Sequence, residues 1–386
     1  MTKIYLDNSA TTQVRAEVTE AMLPYLKQHA GNPSSVHSFG VKAKEAITNA
    51  RKQVAELLSC EQQEIFFSPC GTYSNNVAIR GRARFAEANG QGRHLITTPI
   101  EHPSVLGPVK YLESQGWQVT YLPVDAQGLV SPESLSQAIR KDTSIISIMW
   151  ANNEIGSLLP ISDLALIAQE SGVFFHSDAV QAAARVPVDL SAIPISALSL
   201  SGHKLHAPKG IGALFVRRET QIMPIVFGGG QERGLFPGTE GVPNIVALGK
   251  AAQMTHSGMP DTTIFLVRMQ KMLVDKLKTV PGLRFSGPEN TNLRLPGHIS
   301  VLIPDVEGEA LVLRADLQGV AISSASACHT GTFMPSHVLR ALGLPDDLAR
   351  GSARISIGAL NTEEECKRAA DILVDVFSKC PRAVKI

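Results

Sequence analysis

The stretch SIISIMWANNEIGSLLPISDLALIAQESGVFFHSD, residues 144–178, decides the fold class. A short run rich in isoleucine, SIISIMW, leads through a turn into ISDLALIAQES, whose apolar residues return at helical spacing, and then into a second short run, VFFHS. Neither run is long enough for a helix, and neither keeps the strict apolar–polar alternation of a half-exposed strand. Both read as strands covered on two faces. Two buried strands joined by a crossover helix make a parallel pair.

The alternation extends both ways. Upstream lie a helical pattern from Val41 to Leu58, the strand IFF from Ile65 to Phe67, the strand HLITT, the helix SVLGPVKYLES from Ser104 and the strand QVTYLPV. A further helix opens at SPESLSQAI, with Ser131 as N-cap, Pro132 at the first helical position and Glu133 in the first turn. Downstream come the strands ISALSLS and GALFV. The spacing predicts an α/β fold with a mostly parallel sheet covered by helices on both faces. A composition break at THSGMPDTT, residues 255–263, reads as a hinge, followed by an amphipathic helix from Ile264 to Thr279. Beyond it HISVLI, GEALVLRADL, VAIS, HVLRALG, ARISIG and TEEECKRAADILVDVF alternate as a compact α+β unit.

At 386 residues, 44% apolar and 18% charged, the chain is neither disordered nor fibrous nor a disulfide-stapled miniprotein. Lys and Arg number 36 against 35 Asp and Glu, so no global field steers it to nucleic acid or an anionic membrane. Five cysteines without a CxxC pair suit a reducing compartment. The start MTKIYLDNSATT lacks a leader pattern, and no apolar run approaches the ~20 residues of a membrane span. The expectation is a cytoplasmic protein.

The chemistry concentrates in SGHKLHAPKGIGAL, residues 201–214. Lys204 follows an apolar strand and precedes a glycine-rich turn, where an amine can form a Schiff base with an aldehyde cofactor. A solvent-facing loop lysine is the bland alternative. VFFHS runs directly into Asp178, at the carboxyl end of a parallel strand where open α/β sheets place ligand contacts; a plain helix N-cap is the other reading. Pyridoxal phosphate needs such a carboxylate at its pyridine nitrogen. Its phosphate needs donors at a helix start, which Gly71 and Thr72 of PCGTYSNN supply, with Ser201 and His203 as further candidates. His102 in PIEHPSV suits a ring stacked on a flat cofactor, with a capped core or surface histidine as the bland alternative. No histidine–cysteine spacing suggests a metal site.

The order and spacing of YLDNSATT, GNPSS, EHPSVL, NNEIG, HSDAVQ, SGHKLHAPKGIGAL, GGGQERG, SASACHTG and ARISIG closely resemble the NifS/IscS-like cysteine desulfurases, class V of the pyridoxal-phosphate aminotransferases, nearly from end to end. The resemblance implies a fold-type I (aspartate aminotransferase-like) homodimer. It would comprise a cofactor domain at residues 16–256 and a smaller C-terminal domain at 257–386, which the segment 1–15 joins. It implies that Lys204 carries the cofactor aldehyde, that Asp178 partners the pyridine nitrogen, that His102 stacks and that Gln181 bonds the phenolate oxygen. Gly71, Thr72, Ser201 and His203 would hold the phosphate, with Thr239 reaching over from the second subunit. Asn153 and Arg354 would grip the substrate carboxylate, Arg354 by a bidentate fork, and Asn32 and Ser34 would complete the substrate mouth.

Cys328, among small and polar residues in SSASACHTGTFMPS, is the expected nucleophile. The implied reaction takes L-cysteine to L-alanine and leaves a persulfide on Cys328 for an acceptor such as an iron–sulfur scaffold protein or a tRNA-thiolation relay. L-Selenocysteine as substrate, or a cysteine β-lyase, are the alternatives on the same scaffold. The chain departs from the family pattern at Pro69-Cys70-Gly71-Thr72-Tyr73, where Gly-Gly-Thr-Glu or Gly-Ala-Thr-Glu is usual. It departs again at Phe236-Pro237, where an arginine or other polar residue often stands, and at Ala325 in place of a glycine.

Overall fold

A computed structural model of the chain describes residues 3–324 and 335–381. In chain order the strands are β1 (Ile4–Tyr5), β2 (Ile65–Ser68), β3 (His94–Thr97), β4 (Gln118–Tyr121), β5 (Thr143–Ser147), β6 (Phe174–Asp178), β7 (Ala197–Ser201), β8 (Gly212–Val216), β9 (Arg284–Phe285), β10 (His298–Leu302), β11 (Val320–Ala321) and β12 (Ser352–Ser356). Seven of them form the main sheet, in the order β2-β8-β7-β6-β5-β3-β4. Strand β8 is antiparallel to both neighbours, and the other ladders are parallel. Strands β5, β6, β7 and β8 are buried at every position, as expected of strands covered on two faces.

The helices that bear on the site are α1 (Ala16–Lys27), α2 (Ser38–Leu58), α3 (Gly71–Ala88), α4 (Pro103–Ser114), α5 (Pro132–Ala138), α6 (Ile161–Glu170) and α7 (Val242–Leu277). The sequence cues at the start of α5 act as read, since the Ser131 side chain accepts from Ser134 N with Pro132 at the first position. No helix among the described residues is long and apolar enough to cross a membrane.

The break at residues 255–263 is not a chain break. It lies inside α7, one continuous helix of 36 residues with Pro260 within it. A proline in a helix interior costs ~3 kcal/mol, but Leu266, Met269, Leu273 and Leu277 form a buried stripe on the same helix. Each such burial contributes roughly 1.5–3 kcal/mol, so packing carries the helix through. Upstream, Gly249 lets α7 lie directly on α2, since a Cβ there would stand 2.5 Å from Ala50 Cα.

One apolar cluster draws on both chain ends, joining Ile4 and Leu6 to Leu266, Leu273, Ile299, Leu311, Leu373 and Phe377. Strand β1 pairs in parallel with β11, and β9, β10 and β12 make a separate antiparallel sheet. This brings the N-terminal segment and β12 to the carboxyl edge of the main sheet.

Candidate active site

The carboxyl ends of β2, β3, β5, β6 and β7 open onto one cleft of about 470 Å³. The residues that line it come from the ends of those strands and the loops and helix starts that follow them, from the N-terminal segment, from the residues after β11 and from β12.

Lys204 ends the short turn that follows β7. Its Nζ donates to the carbonyl oxygens of Ser9 and Ala10, the latter at 2.6 Å. The N-terminal segment is laced along this turn: Thr12 donates from N (3.0 Å) and Oγ1 (2.9 Å) to the His203 carbonyl, and His206 N donates to Thr12 Oγ1. Burial first, then the nearby Arg354 and Arg185, bring the Lys204 amine down to about 7. A large share of this amine is therefore neutral and nucleophilic near neutrality.

Asp178 closes β6, 6% exposed and facing the cleft. Its Oδ2 accepts from Asn75 Nδ2 at 2.7 Å, and its Oδ1 accepts from Val180 N at 3.0 Å. The capping role and the ligand-facing role thus coexist. Asn75 also donates to Ser104 Oγ at 2.8 Å, and Ser104 Oγ stands 2.7 Å from His102 Nδ1. His102 is the N-cap of α4, accepting from Ser104 N at Nδ1, which leaves the ring proton on Nε2. Burial lowers its pKa, so the imidazole is neutral. Asn75 and Ser104 were not singled out in the sequence. The available signal was spacing, because Asn75 lies one helical turn beyond Gly71, on the same face of α3.

Helix α3 starts at Gly71 with no acidic residue in its first turn. A Cβ at Gly71 would lie 2.9 Å from Val180 Cγ2 and 3.3 Å from Ser201 Cβ, so glycine is required by close approach. Thr72, Ser201 and His203 line the same cleft. His203 pairs with Thr11 Oγ1 at 3.1 Å, and burial with Lys204 and Lys209 nearby lowers its ring to about 4. Gln181 also lines the cleft, with Nε2 donating to the Ser9 carbonyl at 2.9 Å.

Arg354, on β12, is 6% exposed. Its Nη2 donates to Asp7 Oδ1 at 2.8 Å and its Nη1 to the Asn153 carbonyl at 3.1 Å, while its buried Nε has no partner among the described residues. Asp7 and Asn153 both line the cleft.

Three candidates lie elsewhere. Asn32 and Ser34 are exposed in the α1–α2 connection, tied to each other by Ser34 N on Asn32 Oδ1. Thr239 lines a separate cleft with Ser68, Pro69, Tyr73, Phe236 and Pro237. There two of the three departures from the family pattern meet, with the Tyr73 and Phe236 rings 5.8 Å apart. Pro69 lies outside α3, so it removes none of that helix's N–H donors. Cys70 lines the main cleft beside Gly71. Cys328 and Ala325 lie outside the described residues. On either side of that stretch, Ser323 and Ser324 line the cleft, Ser336 Oγ donates to Glu154 Oε2, and His337 Nε2 donates to the Glu101 carbonyl at 3.0 Å.

Glu101 is fully buried; its Oε1 accepts from Thr98 Oγ1 (2.8 Å) and Met149 N (2.9 Å), and its Oε2 has no partner among the described residues. Burial pushes its carboxyl up to about 8. Because the folded value lies above the unfolded one, stability is fully present below about pH 4.5 and is lost as pH rises through about 8. Glu101→Gln keeps the Oε1 acceptor and cannot ionise. Denaturant melts are expected to find it close to the parent at pH 5 and more stable at pH 8, by on the order of 3 kcal/mol. Parallel pH profiles for the two proteins would contradict this.

The family description "Aminotransferase class-V" matches residues 4–369. A protein named cysteine desulfurase IscS from Methanosarcina thermophila is 45% identical over 97% of this chain and 92% of its own length. Cysteine desulfurase 2 of Trichormus variabilis is 44% identical over 98% and 94%. Among solved structures, a NifS-like protein superposes with a TM-score of 0.91 at 35% identity, covering 97% of this chain and 99% of that one. A structure titled "SspA in complex with cysteine" gives a TM-score of 0.81 at 36% identity, over 94% and 100%. The chain belongs to the class-V aminotransferases, in their NifS/IscS-like cysteine desulfurase branch.

The cofactor of this family is pyridoxal phosphate, and the residues of the cleft fit it. Asp178 is a buried carboxylate without an ion-pair partner among the described residues, suited to a ring N–H. The α3 N-terminus with Thr72 and Ser201 suits a phosphate, and Lys204 supplies the amine.

Proposed function

We propose that this chain converts L-cysteine to L-alanine and transfers the sulfur, through a persulfide on Cys328, to an acceptor thiol such as that of an iron–sulfur scaffold protein or a tRNA-thiolation relay. The observation that carries the reading is the convergence of Lys204, Asp178 and Arg354 on one cleft. Bound pyridoxal phosphate supplies an electron sink for charge released at the substrate Cα. Asp178 holds a proton at the pyridine nitrogen, Gln181 contacts the phenolate oxygen, and Thr72, Ser201, His203 and the Gly71 backbone hold the phosphate. His102 packs its neutral ring on the cofactor face. Arg354 and Asn153 hold the substrate carboxylate, and Lys204 Nζ moves the Cα proton. The Cys328 thiolate then attacks the substrate sulfur: an S–S bond forms, the C–S bond breaks, and its electron pair stays with carbon, which takes a proton to give alanine.

The unit at residues 16–256 holds the cofactor, and residues 257–386 with the segment 1–15 form the smaller domain. Thr239, Asn32 and Ser34 stand outside their own chain's cleft, so they act across a contact with a second copy. The protein works in the cytoplasm. The test is an assay of the cofactor-loaded protein with L-cysteine and a reductant. Alanine and sulfide in equal amounts are expected. Pyruvate and ammonia would establish a β-lyase instead, and turnover confined to L-selenocysteine would establish a lyase for that substrate.

A further inference from the structure

His298 on β10 and Arg354 on β12 are diagonal neighbours on one face of their sheet, because the antiparallel register pairs His298 with Ser356 and Ser300 with Arg354. Both aim N–H donors at the same atom. His298 Nε2 and Arg354 Nη1 each stand 3.1 Å from the carbonyl oxygen of Asn153. A carbonyl only accepts, so the imidazole proton is on Nε2. The ring is fully buried, and its Nδ1 is buried without a partner among the described residues. Burial, with Arg354 and Arg185 close by, holds the ring neutral.

As core filling this is an expensive choice. An unpaired buried nitrogen costs ~1–3 kcal/mol, which a leucine at the same place would avoid. Everything else about the residue fixes that ring on that carbonyl. Gln270 Nε2 donates to the His298 carbonyl at 2.8 Å, and Gln270 Oε1 accepts from Gly297 N at 3.0 Å. On the far side Gly156, at φ +76°, lies so close that a Cβ would stand 2.6 Å from Nδ1. The turn at residues 152–156, which presents Asn153 to the cleft, is thereby pressed against the imidazole. Nη1 on Asn153 and Nη2 on Asp7 set the orientation of the Arg354 guanidinium, whose Nε has no partner among the described residues.

We propose that His298 is a positioning residue for the substrate carboxylate: by holding the Asn153 carbonyl from the side opposite the cleft, it fixes the Asn153 side chain relative to the Arg354 guanidinium. This rests on the reading of Asn153 and Arg354 as the substrate grip. His298 touches neither substrate nor cofactor and acts through the turn alone.

The test compares His298→Leu and His298→Gln in the cofactor-loaded protein. Leucine fills the volume without a donor, and glutamine returns an amide N–H at similar reach. For His298→Leu, KM for L-cysteine is expected to rise about tenfold with kcat within about twofold, and the bound-cofactor absorbance unchanged. His298→Gln is expected to recover most of the loss. Binding of L-alanine, followed by the cofactor absorbance, should give the same ratio without turnover. An unchanged KM in His298→Leu overturns the proposal. So does equal impairment of both variants with kcat, KM and melting temperature changing together, since that is a packing effect. Should His298→Leu fail to fold, His298→Asn, whose amide is too short to reach Asn153, takes its place with the same two outcomes. A parent protein that makes no alanine from L-cysteine refutes the reading of the reaction, whereas the variant-to-parent ratio in L-alanine binding judges His298 alone.

Discussion

Lys204→Ala is expected to lower alanine formation from L-cysteine by about 10³-fold or more while leaving the fold intact. In the proposed reaction the amine would have two tasks at one atom, tethering the cofactor aldehyde and carrying the Cα proton. Positioned proton transfer alone is worth roughly 10²–10⁴-fold, and no other amine lines the cleft among its described residues. The variant should still take up pyridoxal phosphate non-covalently at Asp178 and the α3 N-terminus, but without the absorbance of a lysine-bound aldehyde. Small primary amines added to the assay should restore part of the rate. The parent protein carries a pH signature of the same group. With the amine at about 7, roughly one in ten is neutral at pH 6 and nine in ten at pH 8. The rate at which cofactor-free protein acquires the lysine-bound absorbance should therefore rise steeply between those values and level off above them. A flat profile, or one still climbing at pH 10, would show an amine that the cleft does not perturb. Substantial alanine production by Lys204→Ala would remove the lysine from the mechanism.

How far the sequence carried this site depends on the kind of contact. Asp178, Ser201 and Lys204 were legible because they sit at the ends of strands whose periodicity is unmistakable, and a parallel sheet places such ends at one edge. The start of α5 was legible because Ser131, Pro132 and Glu133 act within one turn of each other. What local reasoning missed is long-range. The chain Asp178–Asn75–Ser104–His102 joins the end of β6 to α3 and to the start of α4, and the Arg354–Asp7 pair joins positions separated by most of the chain. The continuity of α7 through Gly258 and Pro260 was missed for the same reason, since the buried stripe that outweighs those breakers faces partners from both chain ends. Asn32, Ser34 and Thr239 form a third group. They were legible as motif residues, yet the fold of this chain does not bring them to the cleft, because none of the strand ends that converge there carries them.

Cys328→Ala is expected to abolish alanine formation from L-cysteine, again by about 10³-fold or more, yet to leave the absorbance change on adding L-cysteine, because Lys204, Asp178 and Arg354 are untouched. The two losses are thus separable: Lys204→Ala removes the cofactor signal, and Cys328→Ala removes only the acceptor of sulfur. The other four thiols limit how the prediction can fail. Cys60 and Cys366 are pushed up to about 12, chiefly by burial, and Cys380 is raised by burial as well. Cys366 and Cys380 are also packed in the apolar cluster that joins the chain ends, far from thiolate chemistry. Cys70 alone among these four lines the cleft. Position 328 follows Ser324, itself a cleft residue, by four residues, and four residues of chain span at most ~14 Å. Mass spectrometry of the parent after one turnover without acceptor should find one added sulfur atom on the peptide containing Cys328, and none in Cys328→Ala. Retained turnover in Cys328→Ala that disappears only when Cys70→Ala is added would move the persulfide to the helix start beside the cofactor phosphate. Retained turnover in the double variant would exclude a thiol nucleophile from this cleft and with it the desulfurase reaction as written.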